Sequence, residues 1–290
     1  VNSTKTVFWG LLVFLLLLAG SQDLRAQTSF TRGEELFMQN RPEEALGYLE
    51  AATALDPTNV RAFLYLGIAY LQVARIDDAI STYRKILPQG GEETSMIAYN
   101  LGNAYFKSDD VVKAILNYER AKLLAPQNED IDFNLQIANQ YIVDQIETLP
   151  QPFFVGWRSR IVNKNSADGW AKISVVSFIL FLFLLGSFLF ARYVWFKRIS
   201  FWIGLMAVIV SVSGFSFGNR QKAKSIERNT AIVTSPRVTV KGSPAENGTD
   251  LFLIHEGLKV EITGSLNNWK EIRLSDGNKG WLPEMTIERI

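Results

Sequence analysis

Few side chains in this sequence could carry covalent or metal chemistry. There is one histidine, His255, and no cysteine. Thiolate nucleophiles, disulfides and Cys- or His-rich zinc sites are therefore excluded. A lone imidazole without a second ligand nearby binds metal poorly, and His255 stands one residue before a Glu256-Gly257 turn, as a turn or sheet-rim residue would. Two acidic pairs, Asp77-Asp78 and Asp109-Asp110, have the residue types of a general acid and base. They fall at the starts of helical patterns, where carboxylates stabilise the N-terminal dipole. No phosphate-cradling glycine loop and no serine elbow with a histidine partner is found. The expectation is no catalytic residue, no metal, no cofactor and no enzyme. The remaining candidates suit recognition. Arg61 and Lys107 could meet a carboxylate, Asn103 could hydrogen-bond a peptide backbone, and Trp269 and Trp281 could stack a ligand or close a core. Asn247-Gly248-Thr249 fits a glycosylation acceptor, a pattern common by chance.

The charges that surround these candidates are unevenly spread. The net charge of the 290 residues is +1. Residues 27–150 carry −8, residues 151–228 carry +9 and residues 229–290 carry −1. An acidic front segment argues against a nucleic-acid partner, because phosphate binding needs clustered Lys and Arg. The basic middle segment coincides with long apolar runs, so its cations read as flanks attracted to anionic lipid head groups.

Three apolar runs follow. Val7 to Ala19 has the length of a signal-peptide core, with a cleavage point at Ala26, so residues 1–26 read as a signal peptide or an uncleaved N-terminal anchor. Ile173 to Ala191 holds 19 residues without a charge, enough to cross a hydrocarbon core of about 30 Å. Ile199 to Asn219 is bounded by Arg198 and Arg220. Only Arg192 to Arg198 separates the last two, which predicts an antiparallel membrane hairpin over 173–219 with both soluble parts on one side. Arg192, Lys197 and Arg198 favour a cytoplasmic turn. The flanks, Arg158, Arg160, Lys164 and Lys172 before and Arg220, Lys222 and Lys224 after, oppose it by simple count. The leading export segment decides for a bacterial inner-membrane protein with both soluble domains in the periplasm. Gly204, Ala207, Ser211, Gly214 and Gly218 recur every three or four residues, a small-residue face for another membrane helix. The partner is either the first helix of the same hairpin or a helix of another protein. Phe153, Phe154, Trp157 and Trp170 among cations mark 150–172 as an interfacial linker.

The acidic segment repeats itself. Gly33, Gly67 and Gly102 are 34 and 35 residues apart, and so are Ala45, Ala79 and Ala114, and Leu49, Tyr83 and Tyr118. A period near 34 with these residues in these slots resembles the tetratricopeptide repeat. Gly and Ala would sit where the two helices of a unit cross, and Tyr70, Tyr83, Tyr105 and Tyr118 would fill the space between units. Such pairs must stack to bury their apolar faces. A helix over Asp130 to Ile146, with Ile131, Leu135, Ala138, Ile142 and Ile146 on one stripe, would cap the array and complete a domain over 27–149. By the family pattern the concave groove falls on Arg61, Leu64, Ile68 and Leu71, then Met96, Tyr99, Asn103, Phe106 and Lys107.

From Thr230 the chain changes to short alternating runs broken by turn residues such as Ser275-Asp276-Gly277, which predicts about five strands in a small β-barrel over 229–290. Val240 with Gly242-Ser243-Pro244, His255-Glu256-Gly257 with Val260, then Trp269, Asp276-Gly277 and Gly280-Trp281-Leu282 resemble bacterial SH3-like domains. That resemblance implies a binding module, with peptidoglycan as one ligand and Trp269 and Trp281 as its ligand surface.

The fold class expected is thus multidomain: an all-α tetratricopeptide solenoid, a two-helix transmembrane hairpin and a small all-β SH3-like barrel. That order of parts, with the junction EDIDFNLQIANQYIVDQIETLPQPFFVGW and the following SADGWAKISVVSFILFLFLLGSFLFAR, resembles the BatE family of Bacteroidetes aerotolerance operons. The resemblance implies a non-enzymatic envelope scaffold linked to stress tolerance, with other envelope proteins as partners, among them von Willebrand-type domain proteins and a MoxR-like ATPase.

Overall fold

The structure is a computed structural model, and it describes residues 23–87, 94–146, 161–227 and 229–290. The expectations placed on residues 1–22 and on most of the interfacial linker lie outside these residues. The chain forms two compact units, Val1–Asn117 and Tyr118–Ile290.

The first unit is all helical: α1 (23–38), α2 (Pro42–Leu55), α3 (Val60–Gln72), α4 (Ile76–Ile86), α5 (Thr94–Lys107) and the start of α6 (Val111–Leu124). The first helix of each pair ends the same way. Asn40, Ala74 and Asp109 have φ of 59°, 61° and 63°. The next amide in each case donates five residues back, Arg41 to Leu36, Arg75 to Tyr70 and Asp110 to Tyr105, at 3.0, 2.8 and 3.0 Å. This is the left-handed helix ending that satisfies otherwise orphaned carbonyls. An ion pair three residues apart then opens each second helix: Arg41 with Glu44, Arg75 with Asp78, Lys113 with Asp110. Asp77 and Asp78 lie in the first turn of α4, and Asp110 also accepts from the Lys113 amide at 3.1 Å. Asp109 is the left-handed turn residue before that helix rather than part of it. Connections between pairs use proline and an asparagine cap. Asn59 accepts from the Ala62 amide at 3.0 Å and Asn128 from the Asp130 amide at 2.9 Å.

The small residues act where the period placed them. A Cβ on Gly67 would lie 2.3 Å from Tyr83 Cζ, and one on Gly33 would lie 2.8 Å from Leu49 Cγ. Helices α3 and α4, like α1 and α2, therefore cross at a distance only glycine allows. Ala45, Ala79 and Ala114 are fully buried, and Tyr70, Tyr83, Tyr105 and Tyr118 are buried as well. Tyr83 fills the crossing within its own pair rather than a gap between pairs.

The second unit holds the end of α6, then α7 (Glu129–Ala138), two long helices α8 (Ala167–Phe190) and α9 (Val194–Glu227), and a β-sheet. Ile131, Leu135 and Ala138 are buried on one face of α7 as the stripe required. The helix stops at Ala138, however, and residues 141–146 are not helical. The β-branched pair Ile142-Val143 weakens further winding, and the side chains beyond it are held by the sheet, as described below.

Both α8 and α9 are long and apolar enough to cross a membrane, and α8 alone spans about 36 Å at 1.5 Å per residue. They form a hairpin broken only at residues 191–193. Gly204, Ala207, Ser211, Gly214 and Gly218 are all buried. Ser174 Oγ donates to Ser211 O and Ser211 Oγ to Ser174 O, each at 2.9 Å. A Cβ on Gly214 would lie 3.2 Å from Trp170 O. The small-residue face therefore serves the hairpin itself. Val176, Phe183, Trp202 and Phe215 stay exposed on the outside.

The sheet has seven antiparallel strands: β1 (Thr230–Val233), β2 (Arg237–Lys241), β3 (Asp250–His255), β4 (Lys259–Leu266), β5 (Trp269–Arg273), β6 (Lys279–Pro283) and β7 (Ile287–Arg289). Six coincide with the alternating runs of the sequence, and β7 is additional. Their order is β3-β2-β6-β5-β4-β1-β7. The sheet is open, with β3 and β7 at its edges, so the expected closed barrel is not formed by the hydrogen-bond ladder. Val233, Val240, Ile254, Val260, Ile272 and Leu282 form its core. Gly280 lets β6 approach β2, since a Cβ there would lie 2.5 Å from Val240 Cγ1.

Candidate functional site

In the first unit the groove candidates divide. Leu64 is 5% exposed and is a packing residue. Ile68, Leu71, Tyr99, Asn103 and Phe106 are half-buried, whereas Met96 and Lys107 are exposed. Arg61 is engaged within the chain: Nη2 donates to Glu34 Oε1 at 3.0 Å, and the guanidinium lies 5.6 Å from the Phe30 ring centroid. Tyr65 sits edge-on to Phe30 and Phe37 at 5.9 and 5.4 Å. Burial, and then its hydrogen bond to Glu34, push its hydroxyl pKa up. The expected groove residues do not include Phe30, Glu34 and Phe37 of α1, which contact Arg61 and Tyr65 of α3. The signal was present, because one period before Leu64, Ile68 and Leu71 stand these three residues.

A second polar cluster joins α2, α3 and α4. Tyr70 donates to Glu50 Oε1 at 2.6 Å, and the Arg75 guanidinium stacks 4.5 Å from its ring while binding Asp78 at 2.6 Å. Burial first, and Glu50 second, push the Tyr70 hydroxyl up to about 12. These groups tie neighbouring helices together.

In the sheet, Lys270, Ile272, Gly280 and Leu282 are buried, so the alternation puts Trp269 and Trp281 together on the opposite face. Trp269 stands opposite Pro283 and Leu266, and Trp281 opposite Glu271, so the two indoles are diagonal neighbours and both are half-buried. His255 is not merely a rim residue. Its backbone amide donates to Asp144 Oδ2 at 2.5 Å, and its Nδ1 donates to Asp144 Oδ1 at 2.9 Å. Two more links join the helical and sheet parts of this unit. Lys259 Nζ donates to Glu119 Oε2 at 2.6 Å, and Arg120 Nη2 donates to Glu288 Oε1 and to Arg289 O at 2.9 Å. Between residues 136–146 and the sheet lies a cleft of about 430 Å³, bordered by Ile142, Asp144, Ile146, Leu258 and Lys259. No cluster of three potential metal-ligating side chains occurs among the described residues.

The tetratricopeptide repeat family matches residues 36–99 and again residues 97–128. The helical region is therefore built of tetratricopeptide repeats, which are generally protein–protein interaction modules. Solved structures similar to it include the second tetratricopeptide domain of human RPAP3 in complex with an HSP70 peptide. That domain is 20% identical, and the match covers 41% of this chain and 98% of that one at a TM-score of 0.39. The Yersinia enterocolitica type III secretion chaperone SycD, in complex with a peptide of the translocator YopD, is 17% identical, with 39% and 92% covered at 0.37. The N-terminal domain of stress-induced protein-1 from C. elegans is 15% identical, with 41% and 97% covered at 0.37.

Proposed function

We propose that this chain is a non-enzymatic, membrane-anchored scaffold of the bacterial cell envelope. The observation that carries the reading is one polypeptide with tetratricopeptide repeats ahead of two apolar helices packed as a hairpin. The hairpin is the anchor, and its two ends return the repeats and the sheet module to one face of the membrane, the periplasmic one. The repeats recruit another envelope protein through the groove that includes Met96, Tyr99, Asn103, Phe106 and Lys107. The order of parts supports a place in a stress- or aerotolerance-related complex with von Willebrand-type domain proteins and a MoxR-like ATPase. In vivo crosslinking and mass spectrometry tests the scaffold. Asn103→Ala with Lys107→Glu is expected to lose a partner that wild type recovers, and unchanged recovery rejects the groove. An alkaline phosphatase fusion after Ile290 is expected to be active; an inactive fusion rejects the topology.

A second reading is favoured by the pairing of Trp269 and Trp281 on one face of an SH3-like module. Paired indoles are a stacking platform, and the ligand would be peptidoglycan. Cosedimentation of the full chain with purified peptidoglycan, lost in Trp269→Ala with Trp281→Ala, is the expected result. Equal sedimentation of the variant rejects it.

A further inference from the structure

Residues 141–146 leave α7 through a bend at 141–143 and continue without regular structure against the sheet module. Their exposure alternates: Tyr141, Val143 and Gln145 are exposed, whereas Ile142, Asp144 and Ile146 are not. Tyr141 and Val143 are 67% and 73% exposed, high values for large apolar side chains. Alternate side chains of this non-helical segment thus face the sheet module while those between them face away. Two of the three inward side chains meet the sheet module, and the third lines the cleft beside it. Ile142 borders the cleft beside Leu258 and Lys259. Asp144 takes both the His255 amide and Nδ1. Ile146 packs against the module's hydrophobic core. His255 ends an edge strand, whose outward amide would otherwise lack a ladder partner. A carboxylate supplies it.

We infer that the sheet module has a peptide-recognition site centred on His255 and Leu258, and that the chain's own residues 141–146 occupy it in cis. The ligand is a segment of the pattern aliphatic-x-Asp-x-aliphatic. Alternate side chains give specificity, and the charge-assisted contact to His255 fixes register. This site is separate from the Trp269 and Trp281 face and from the repeat groove. Occupancy by the chain's own segment makes it autoinhibited: an external peptide of the same pattern binds only by displacing residues 141–146. The inference stands whether or not the hairpin lies in a membrane.

The test uses the full chain in detergent and a fluorescein-labelled peptide of sequence QYIVDQIE. The opened variant, Ile142→Ala with Asp144→Ala and Ile146→Ala, is expected to bind the peptide at least about tenfold more tightly than wild type. The same peptide with Asp replaced by Ala is expected to lose that binding. Equal binding by wild type and a folded opened variant, or by the peptide with and without Asp, overturns the site. Should the opened variant fail to fold, excess unlabelled peptide on wild type gives the answer by hydrogen exchange. Faster exchange at residues 141–146 supports displacement, and unchanged exchange overturns it.

Discussion

Asn40, Ala74 and Asp109 hold the same left-handed turn in successive repeats, yet only Asn and Asp tolerate it without a glycine. Ala74 bears the steric cost of a Cβ in that region, about 1 kcal/mol. Ala74→Gly is expected to raise stability by at most about 0.5 kcal/mol after the backbone entropy of glycine is counted, measured by urea unfolding. The adjacent crossing gives the opposite sign. Gly67→Ala drives a methyl into the Tyr83 ring and is expected to cost about 1–3 kcal/mol. The Tyr83 hydroxyl is buried with no hydrogen-bond partner among the described residues, so Tyr83→Phe is expected to be neutral or stabilising by up to about 1 kcal/mol. Tyr70 sets a pH dependence. Its folded pKa, about 12, exceeds the unfolded value near 10. The stability it contributes is therefore fully present below pH 10 and lost as the pH rises toward 12. Tyr70→Phe is expected to flatten the alkaline unfolding profile in that window.

At the scale of the element, the five-residue stripe from Gly204 to Gly218 predicted a close helix–helix face, and the reciprocal Ser174–Ser211 hydrogen bonds give it a partner. Gly214→Ile pushes against the Trp170 carbonyl and the Ser174 side chain, so it is expected to lower the thermal midpoint in detergent, whereas Gly186→Ile, which meets nothing nearby, is expected to leave it unchanged. Repeats and membrane helices were legible because their periods are local and several slots recur together. Alternation gave about five strands where the sheet has seven, and β7 had no signal at all. Only three residues long, it exists by pairing with β1, far away in sequence. The end of α7 misled for a related reason. Ile142 and Ile146 continue a helical stripe by spacing, yet 142, 144 and 146 also share the side that faces the sheet, and His255, which holds Asp144, lies 111 residues on. His255 looked isolated for the same cause, since its partner Asp144 is remote in sequence.

At the scale of the molecule, the charge asymmetry of the sequence has one structural use inside the second unit. Glu119, from the end of the acidic repeat region, is 7% exposed and is neutralised by Lys259 of the sheet module, while Arg120 holds Glu288 and the Arg289 carbonyl. The interface is polar, contains an open cleft and is anchored by few apolar contacts, as expected of parts that can separate. Removing one partner of such a pair leaves a shielded charge unmet, which costs more than the pair itself contributes. Lys259→Glu is therefore expected to detach the module from the α6–α7 region, read as faster hydrogen exchange at residues 139–146 with the core strands β4 and β5 still protected. Glu119→Lys with Lys259→Glu restores an opposite-charge pair and is expected to recover most of the protection. Added salt weakens solvent-exposed ion pairs, so the residual docking of Lys259→Ala is expected to weaken with salt more than that of wild type, because it then leans on Arg120–Glu288, whose carboxylate is half exposed. If the charge-swapped double variant exchanges as fast as Lys259→Glu alone, the pair does not hold the module, and the remaining contacts of Arg120, Asp144 and Ile146 with the sheet do.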